Sequence, residues 1–489
     1  MSDARSTKVL ILTLGNGLNV LINFLTLPYL VRTLSYEEYG SFGQVLLLIT
    51  VIQGIFAFNL NQIANIYFSE KEYSQQDVFK TLKQIIFYLS IGGTLVMFLT
   101  APLVSWAFDN PLLQDLIFLS LVNLLAQIPV SVFISVLVYF GRVKSVTSIL
   151  VLSNLLRIAL MLIAIQMFHS VHLLMICLSL TSLVQAFAFY YSIPDALRKG
   201  GRYIKSLAAK FFRLASPLAV SSIIERSLFY IDGMMISAIL GTTAFAFYRA
   251  GAIEVPFVAS LYGSVATIVM PEVARLYADR NLSEIVRLKR IGISTTAFLI
   301  YPILVYLLFF SGPLVAAYLS DKYLQSVLVF SIFNLSLLIR VNDYQDVIIV
   351  SGNGKFIFGV VVVMCVVNLI LNYFLISYFG ILGGAFSFIL CLFGYAAVLI
   401  WKSVKILKCS IGDMVDVAFL LKMLLISTVF ASALYGVYMY MLHELIFVLV
   451  AAPVYMILIL LVAVKLKITD SRIVELVEGR FFKLIGRSK

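Results

Sequence analysis

Long apolar segments follow one another along almost the whole chain, with short polar stretches between them. A transmembrane helix needs about 20 consecutive, mostly apolar residues, and fourteen segments meet this requirement. The shortest divisions between neighbouring segments fall at His169–Ser170 and at His443–Glu444. The pattern predicts membrane spans at 9–31, 42–67, 84–105, 116–140, 146–168, 171–193, 214–239, 250–274, 291–311, 326–350, 356–378, 381–401, 418–441 and 445–464.

Composition supports this interpretation. Of 489 residues, 62% are hydrophobic and only 12% are charged, whereas about a quarter of the residues are charged in a soluble protein. These values exclude soluble, disordered and fibrous chains, and four cysteines are too few for a disulfide scaffold. The predicted fold class is an all-α polytopic membrane protein with 14 transmembrane helices.

The positions of Lys and Arg predict the orientation. If the N-terminus lies in the cytoplasm and the spans alternate, nearly all loop and tail cations fall on the cytoplasmic side, and only Arg32, Arg249 and Lys322 lie outside. This agrees with the positive-inside rule and places both termini in the cytoplasm. The net charge of +12 is then explained by attraction to anionic inner-leaflet lipids, and no nucleic-acid partner is expected.

Two short sequence matches indicate an internal repeat. The segment 34–42 aligns with 240–248, and 141–144 aligns with 352–355, at nearly the same offset. Two pseudo-symmetric six-helix lobes are expected, followed by two additional helices. The tail 467–489 has the spacing of a helix on the membrane surface, and a solvated tail fits equally well. The predicted domains are an N-terminal lobe with a basic linker (1–213), a C-terminal lobe (214–401), and spans 13 and 14 with a basic amphipathic tail (402–489).

Charged residues inside the spans mark the candidate site. A charge at the bilayer centre costs roughly 2.5–3.5 kcal/mol, so these groups are expected to face a hydrated space or to pair with one another. Mutual neutralisation is one interpretation; a cationic site for an anionic headgroup, with acids that take up protons or cations, is the other. Arg340, Asp343 and Asp346 are spaced to pair on one helix. The candidate substrate-binding residues are Arg157, Arg226, Arg340 and Tyr230, and the candidate ion-coupling residues are Glu225, Asp232, Glu254, Asp343 and Asp346.

Amide side chains cluster in the first two predicted spans. Asn16, Asn19 and Asn23 form one stripe on span 1, and Asn59 and Asn65 lie on span 2. An amide is costly in lipid unless it is hydrogen-bonded. Such stripes serve either as contacts between helices or as a wall that binds sugar hydroxyls. We predict that these five residues line a sugar-binding wall.

Motifs for catalysis or nucleotide binding are missing. GNGKF at 352–356 has neither the first glycine nor the Ser/Thr of a P-loop. His169 and His172 flank a predicted outer turn. As an i, i+3 pair they could bind a metal, but histidines at the membrane interface are the simpler interpretation. We therefore expect no cofactor, no metal and no enzymatic activity.

Four segments carry a family resemblance: LPYLVRTLSYEEYGSFGQV (27–45), YIDGMMISAILGTTAFAFYRAG (230–251), VMPEVARLY (269–277) and NLILNYFLISYFGILGGAFS (368–387). In these four segments the chain resembles the polysaccharide (O-antigen type) flippases of the multidrug/oligosaccharidyl-lipid/polysaccharide exporter superfamily. The similarity extends over nearly the whole chain, and the last segment is the most specific. Phe247 departs from the pattern, because a glycine is more usual at this position.

The resemblance implies two six-helix lobes around a central cavity and transport by alternating access. The implied function is movement of polyprenyl-diphosphate-linked oligosaccharide from the cytoplasmic to the outer leaflet of the bacterial cytoplasmic (inner) membrane. The product would be O-antigen of lipopolysaccharide, capsule or exopolysaccharide. Arg157, Arg226 and Arg340 would meet the diphosphate, and proton or sodium antiport is expected. Implied partners are membrane lipids and polysaccharide polymerase or chain-length proteins.

Three other functions stay open. A drug or cation antiporter of the same superfamily would favour an acidic site, which the three arginines within spans disfavour. A membrane polymerase or ligase for lipid-linked sugars generally has a large outer loop, which is missing here. A flippase for peptidoglycan precursors fits the motifs less well.

Overall fold

The computed structural model describes residues 2–70, 72–227, 230–253, 255, 258, 269–440 and 445–465. Side chains are described from residue 17 onward, except at 217–218, 220–222, 224–227, 445–446, 449 and 464. All regular structure in this part of the chain is helical. The helices are α1 (Ser2–Thr33), α2 (Tyr36–Phe56), α3 (Leu60–Ser69), α4 (Gln75–Ala107), α5 (Pro111–Tyr139), α6 (Val143–Phe168), α7 (Val171–Ser192), α8 (Asp195–Lys199), α9 (Lys205–Ser227), α10 (Ile231–Leu240), α11 (Thr242–Gly251), α12 (269–278), α13 (Leu282–Phe309), α14 (Ser311–Tyr318), α15 (Val327–Asn334), α16 (Asp346–Val350), α17 (Gly354–Phe379), α18 (Ile381–Leu407), α19 (Ile411–Met414), α20 (Val417–Tyr440) and α21 (Leu445–Lys465), with 3₁₀ helices at Asp321–Ser326 and Leu335–Leu338.

Nine helical segments in the described part of the chain are long and apolar enough to cross a bilayer. Large apolar side chains such as Leu99 on α4 and Phe374 on α17 are exposed. So much exposed apolar surface is rare in a soluble protein, but a helix in contact with lipid requires it. The protein is therefore a multi-pass membrane protein. The nine segments are α2 together with α3, α4, α5, α6, α7, α13, α17, α18 and α20.

The predicted division between the fifth and sixth spans is confirmed. His169 ends α6 in the left-handed conformation with φ 45°. The Ser170 hydroxyl then accepts a hydrogen bond from the Leu173 amide (3.3 Å) at the start of α7. This side chain satisfies one of the amides that a helix N-terminus leaves without a partner.

The continuous helix predicted over 326–350 is wrong. After α15 and the 3₁₀ turn Leu335–Leu338, residues 339–345 are not helical, and the short helix α16 follows. Apolar residues on both sides of this polar stretch keep the average hydropathy high, so the segment looks like one span. The break is stabilised by contacts with other helices, which sequence averaging does not detect.

The second predicted span, 42–67, is interrupted as well. Between α2 and α3, Phe58 and Asn59 both have φ 50°. Left-handed backbone is costly for residues other than glycine, and asparagine tolerates it better than most. The amide of Leu60 donates to the Ala57 carbonyl (3.0 Å), so α3 begins directly after the break.

Three predictions fall outside the described residues. They are most of the eighth span (250–274), the division at His443–Glu444, and the tail 467–489.

The chain divides into two compact units. Unit one comprises Met1–Ala250 and Asn368–Gly384, and unit two comprises Gly251–Val367 and Ala385–Lys489.

Buried amide and hydroxyl side chains link three helices of unit one. Asn123 and Gln127 of α5 both donate to the Ser182 hydroxyl of α7, at 2.7 and 3.1 Å. Gln127 also donates to Gln185, which in turn donates to Ser153 on α6 (2.8 Å). These bonds link three helices in a setting where an unsatisfied amide would be costly.

Tight contact shapes the turn between α17 and α18. Gly380 has φ 60° and its carbonyl accepts from the Gly383 amide (3.0 Å). A Cβ atom at Gly383 would lie 2.0 Å from the Leu375 carbonyl oxygen, closer than any real contact. The glycine is therefore required by the close approach of backbone at this turn.

In unit two, α13 packs against α20 and α21. The buried Tyr455 hydroxyl of α21 bonds to the carbonyls of Pro302 (3.2 Å) and Ser427 (3.1 Å). One side chain thus joins three helices.

Candidate functional site

A buried carboxylate, Asp232, lies in the first turn of α10 in unit one. Its side chain is almost completely buried, with a relative exposure of 2%. Asn372 donates to its Oδ1 over 2.6 Å, Asn368 donates to the same oxygen over 3.1 Å, and the Tyr248 hydroxyl also bonds to it. None of the ion pairs among the described residues includes Asp232. The acid is therefore held by neutral groups alone.

Local sequence explains how these groups meet. Asn368 and Asn372 are four residues apart on α17 and lie on one face of the helix. Gly384 lets α18 begin close to α10, because a Cβ there would lie 2.5 Å from Ile236 Cδ1. A larger residue at this position would push α18 away from α10 and from the Tyr248 ring, which would lie 3.4 Å from the new Cβ.

The cluster offers oxygen atoms as well as donors. Asn372 is fully buried, and its Oδ1 has no hydrogen-bond partner among the described residues. Carboxylate and amide oxygens are the ligands that hard cations prefer. An amide group can turn to present either its oxygen or its nitrogen. Asp232 and Asn372 together can thus bind a proton or a small cation.

A second polar group joins α1 to α6 in unit one. The Arg157 guanidinium donates to Asn23 Oδ1 over 2.9 Å, and Asn154 donates to Asn19 Oδ1. Arg157 is only partly buried, so its remaining N–H groups stay available for an anion. The structure brings together Arg157 and Asn23, two residues that the sequence selected separately.

Arg340 lies on the unwound segment 339–345 of unit two. The backbone carbonyls that the break frees are satisfied by tyrosines: Tyr301 donates to Leu338 O (3.0 Å) and Tyr344 donates to Ile339 O (2.8 Å). Gln345 also bonds to the Tyr395 hydroxyl (3.0 Å). Irregular backbone at membrane depth requires such protein partners. In membrane transporters, unwound helices are often the places where substrates and ions bind.

Residues 339–345 are not helical, so Arg340, Asp343 and Asp346 do not share the single helix face that the sequence predicted. Asp346 instead pairs with Lys289 of α13, with 2.6 Å between Nζ and Oδ2. Both side chains are buried, at 2% and 1% exposure. The Asp343 carboxylate accepts from the Gln345 amide (2.9 Å).

The other predicted residues are dispersed. Asn59 occupies the break between α2 and α3, Asn65 is exposed on α3, and Tyr230 is the N-cap of α10. Four candidates lie outside the described residues or side chains: Asn16, Glu225, Arg226 and Glu254.

Sequence reasoning missed the partners of both buried acids. Asn368 and Asn372 stand one helical turn apart in the most apolar of the membrane-crossing helices, which is a signal that the sequence does contain. The positive-inside pattern places Lys289 among the cytoplasmic cations, next to Arg287 and Arg290 in sequence. The ammonium group is enclosed by oxygen atoms of residues 342–346, and charge alone does not predict these contacts.

Comparison with known protein families shows the family of this chain. Residues 6–277, more than half of the sequence, match the family described as "Polysaccharide biosynthesis protein". The chain belongs to this family. A sequence search of curated proteins gives no match.

Solved structures with a similar fold are membrane transport proteins. A lipid II flippase, MurJ, in an inward closed conformation aligns with a TM-score of 0.69 at 16% identity, covering 98% of this chain and 100% of that one. An inward-facing multidrug resistance MATE family transporter of the MOP superfamily aligns with a TM-score of 0.63 at 15% identity, over 81% and 95% of the two chains. A MOP superfamily transporter from Pyrococcus furiosus, whose binding pocket is described as having reverse polarity, aligns at 0.56 with 14% identity, over 83% and 96%. The resemblance to the exporter superfamily is thus confirmed at the level of the fold.

Proposed function

We propose that this protein is a flippase that moves polyprenyl-diphosphate-linked oligosaccharide from the cytoplasmic to the outer leaflet of the bacterial cytoplasmic membrane. One combined observation carries the proposal. The chain belongs to a polysaccharide biosynthesis family, and its fold is similar to that of a solved lipid II flippase, with an alignment that covers 98% of this chain. The oligosaccharide serves surface polysaccharide assembly: O-antigen, capsule or exopolysaccharide.

The proposed contacts with the substrate follow from charge. Arg157 and Arg340 bind the diphosphate, because guanidinium groups match the geometry of phosphate oxygens. Arg226 is proposed for the same role from its sequence position. Amides such as Asn23 contact the sugar hydroxyls. Supporting this, Arg157 is partly exposed and has no carboxylate partner among the described ion pairs.

We further propose that transport by alternating access is coupled to a proton or sodium ion at Asp232. The support is a buried acid with only neutral partners and a nearby amide oxygen on Asn372. Asp346 is a weaker candidate for this role than Asp232, since Lys289 already neutralises it.

The proposed membrane arrangement has fourteen spans, organised as six, six and two, with both termini in the cytoplasm. The distribution of Lys and Arg supports this orientation.

Deletion of the gene in its own host tests the function. Surface polysaccharide should be lost, and lipid-linked repeat units should accumulate on the cytoplasmic side of the membrane, where mass spectrometry of membrane lipids after one-sided labelling detects them. A polymerase defect would instead leave single repeat units outside. A drug antiporter would change drug susceptibility and leave the polysaccharide intact; either result contradicts the proposal.

Lipid II is the second candidate substrate, favoured by the similarity to the solved lipid II flippase. Expression in cells depleted of their own lipid II flippase separates the two substrates. Rescue of growth would favour lipid II, and failure to rescue together with loss of surface polysaccharide in the deletion strain favours the polysaccharide precursor.

A further inference from the structure

Lys289 makes three strong hydrogen bonds inside unit two. Its ammonium group donates to Asn342 Oδ1 (2.7 Å), to the Asp343 backbone carbonyl (2.5 Å) and to Asp346 Oδ2 (2.6 Å). A lysine has three N–H donors, so every one of them is used. The side chain is 2% exposed, and the charge is therefore fully enclosed by these oxygens.

The bonding pattern differs from that of a simple buried ion pair. Neutralising Lys289 requires only the Asp346 carboxylate. The two other bonds go to Asn342 and Asp343, on the unwound segment that carries Arg340. A carboxylate, a backbone carbonyl and an amide oxygen together form the kind of oxygen cage that unwound transporter helices present to a cation. Here an ammonium group tethered to α13 fills that cage.

We propose that Lys289 is a positioning residue whose tethered cation fixes the unwound segment 339–345 and thereby orients Arg340. The proposal rests on the proposed role of Arg340 in binding the substrate. Without the ammonium group, three acceptor oxygens face one another, and the segment loses the link to α13 that Lys289 provides. The Tyr301 and Tyr344 bonds remain, so the segment shifts rather than unfolds.

Chemical rescue provides a direct test. Lys289→Ala retains Cβ and removes the atoms of n-propylammonium, so this ion restores both the charge and the three donors. Tetramethylammonium carries the same charge but no N–H group and serves as the control ion. We expect n-propylammonium, but not tetramethylammonium, to raise the melting temperature of purified Lys289→Ala protein in detergent. If the two ions change the melting temperature equally, the proposal that the ammonium group fills an oxygen cage is wrong.

A second variant separates positioning from simple stability. In Lys289→Met/Asp346→Leu the buried charges are replaced by apolar groups of similar volume, which is often neutral or stabilising. We expect this protein to be more stable than Lys289→Ala, because no unpaired buried charge is left, yet to transport roughly tenfold or more slowly than the wild type, because small misplacement of a binding group has large effects. Wild-type transport by the double variant would mean that the pair is only structural.

The matched control is Arg290→Met, one residue further along α13. Arg290 is 45% exposed and pairs with Asp416, and exposed pairs contribute little. Its transport should stay within about twofold of the wild type, as expected for a coupling of at most a few tenths of a kcal/mol.

The proposed function and the positioning role of Lys289 are tested by different results. If reconstituted wild-type protein moves no lipid-linked glycan, the proposed function fails, but the melting experiment still decides whether Lys289 fills a cation cage. If the wild type is active and Lys289→Ala, with or without n-propylammonium, transports at the wild-type rate, the positioning role fails while the proposed function stands.

Discussion

Asn372 donates its side-chain amide to the buried Asp232 carboxylate over 2.6 Å, joining α17 to α10 within unit one. Neither residue is more than 2% exposed. An isolated carboxylate is expensive to bury, and its partners here are neutral. Ionisable residues inside membrane spans commonly mark pathways for ions or protons, and this relationship is the basis of the first prediction.

Substitution of Asp232 should abolish ion-coupled transport. In proteoliposomes, Asp232→Asn should lose the response to a proton or sodium gradient, because the amide carries no charge for a cation to neutralise. Asn372→Ala should weaken the apparent affinity for the ion while Asn368→Ala has the smaller effect, since its bond to the carboxylate is longer, at 3.1 Å. Full gradient-driven transport by Asp232→Asn protein at normal abundance would contradict this role.

Loss of either described arginine should stop export. Arg157→Ala and Arg340→Ala should abolish surface polysaccharide while the protein stays in the membrane, and lysine at either position should restore only part of it, because a single ammonium cannot make bidentate phosphate contacts. From sequence position alone, Arg226→Ala is expected to act in the same way. Immunoblots of membranes and gel analysis of the polysaccharide provide the measurement.

Arg142→Ala is the control for Arg157, because Arg142 caps the start of the same helix and is exposed. Polysaccharide should be normal in this variant. Normal polysaccharide in the Arg157 and Arg340 variants as well would rule out the cationic site.

Gly383→Ala should destabilise the protein severely. The new Cβ would overlap the Leu375 carbonyl at 2.0 Å, and backbone cannot move aside as easily as the end of a side chain. Protein yield and melting temperature in detergent should both fall. Gly359→Ala on the same hairpin is the control, because nothing lies within 4 Å of a Cβ there; replacing a helical glycine should be neutral or stabilise by up to about 1 kcal/mol. Equal effects of the two substitutions would show that the close approach does not matter.

Asp416 should contribute stability that depends on pH. Its carboxylate bonds to Arg290 (2.6 Å) and accepts from the Phe419 amide (3.0 Å) at the start of α20. The bond from Arg290 lowers the pKa of Asp416 below its ordinary value of 3.8. A lowered pKa stabilises the folded protein above the unfolded value, and this stability is lost as the pH falls through the folded value.

Asp416→Ala should therefore lower the free energy of unfolding by about 1 kcal/mol at neutral pH, the usual effect of losing an N-cap. Asp416→Asn keeps an acceptor and should lose less. Melting curves in detergent from about pH 6 to about pH 3 should show the difference between Asp416→Asn and the wild type shrinking at the acid end. A difference that grows as the pH falls would contradict this account.

Membrane orientation can be tested with single cysteines. Lys199→Cys in α8 and Lys405→Cys near the end of α18 should react with a membrane-impermeant thiol reagent only from the cytoplasmic side. Both lysines are exposed, so the reagent has access. Labelling of either position from outside would contradict the proposed topology.

The sequence by itself determined the class of protein and most of the helices. Runs of about 20 apolar residues can satisfy their backbone in lipid only as helices, so the helices α4 to α7, α17, α18 and α20 follow from hydropathy alone. The motif at 368–387 was likewise visible, including the two glycines that its turn requires. Hydropathy also identified Asp232 and Arg340 as charged residues inside apolar segments.

Only the tertiary structure decided how those polar groups are satisfied. The partner of Asp346 is Lys289, from a helix more than fifty residues away in sequence. The helix break at 339–345 likewise depends on Tyr301 and on Lys289, both from α13. Hydropathy is a sum over neighbours in sequence, whereas a buried charge or a freed carbonyl is stabilised by whichever group the fold brings within about 3 Å. Packing between helices determines these partners, and a hydropathy average over neighbouring residues contains no information about that packing.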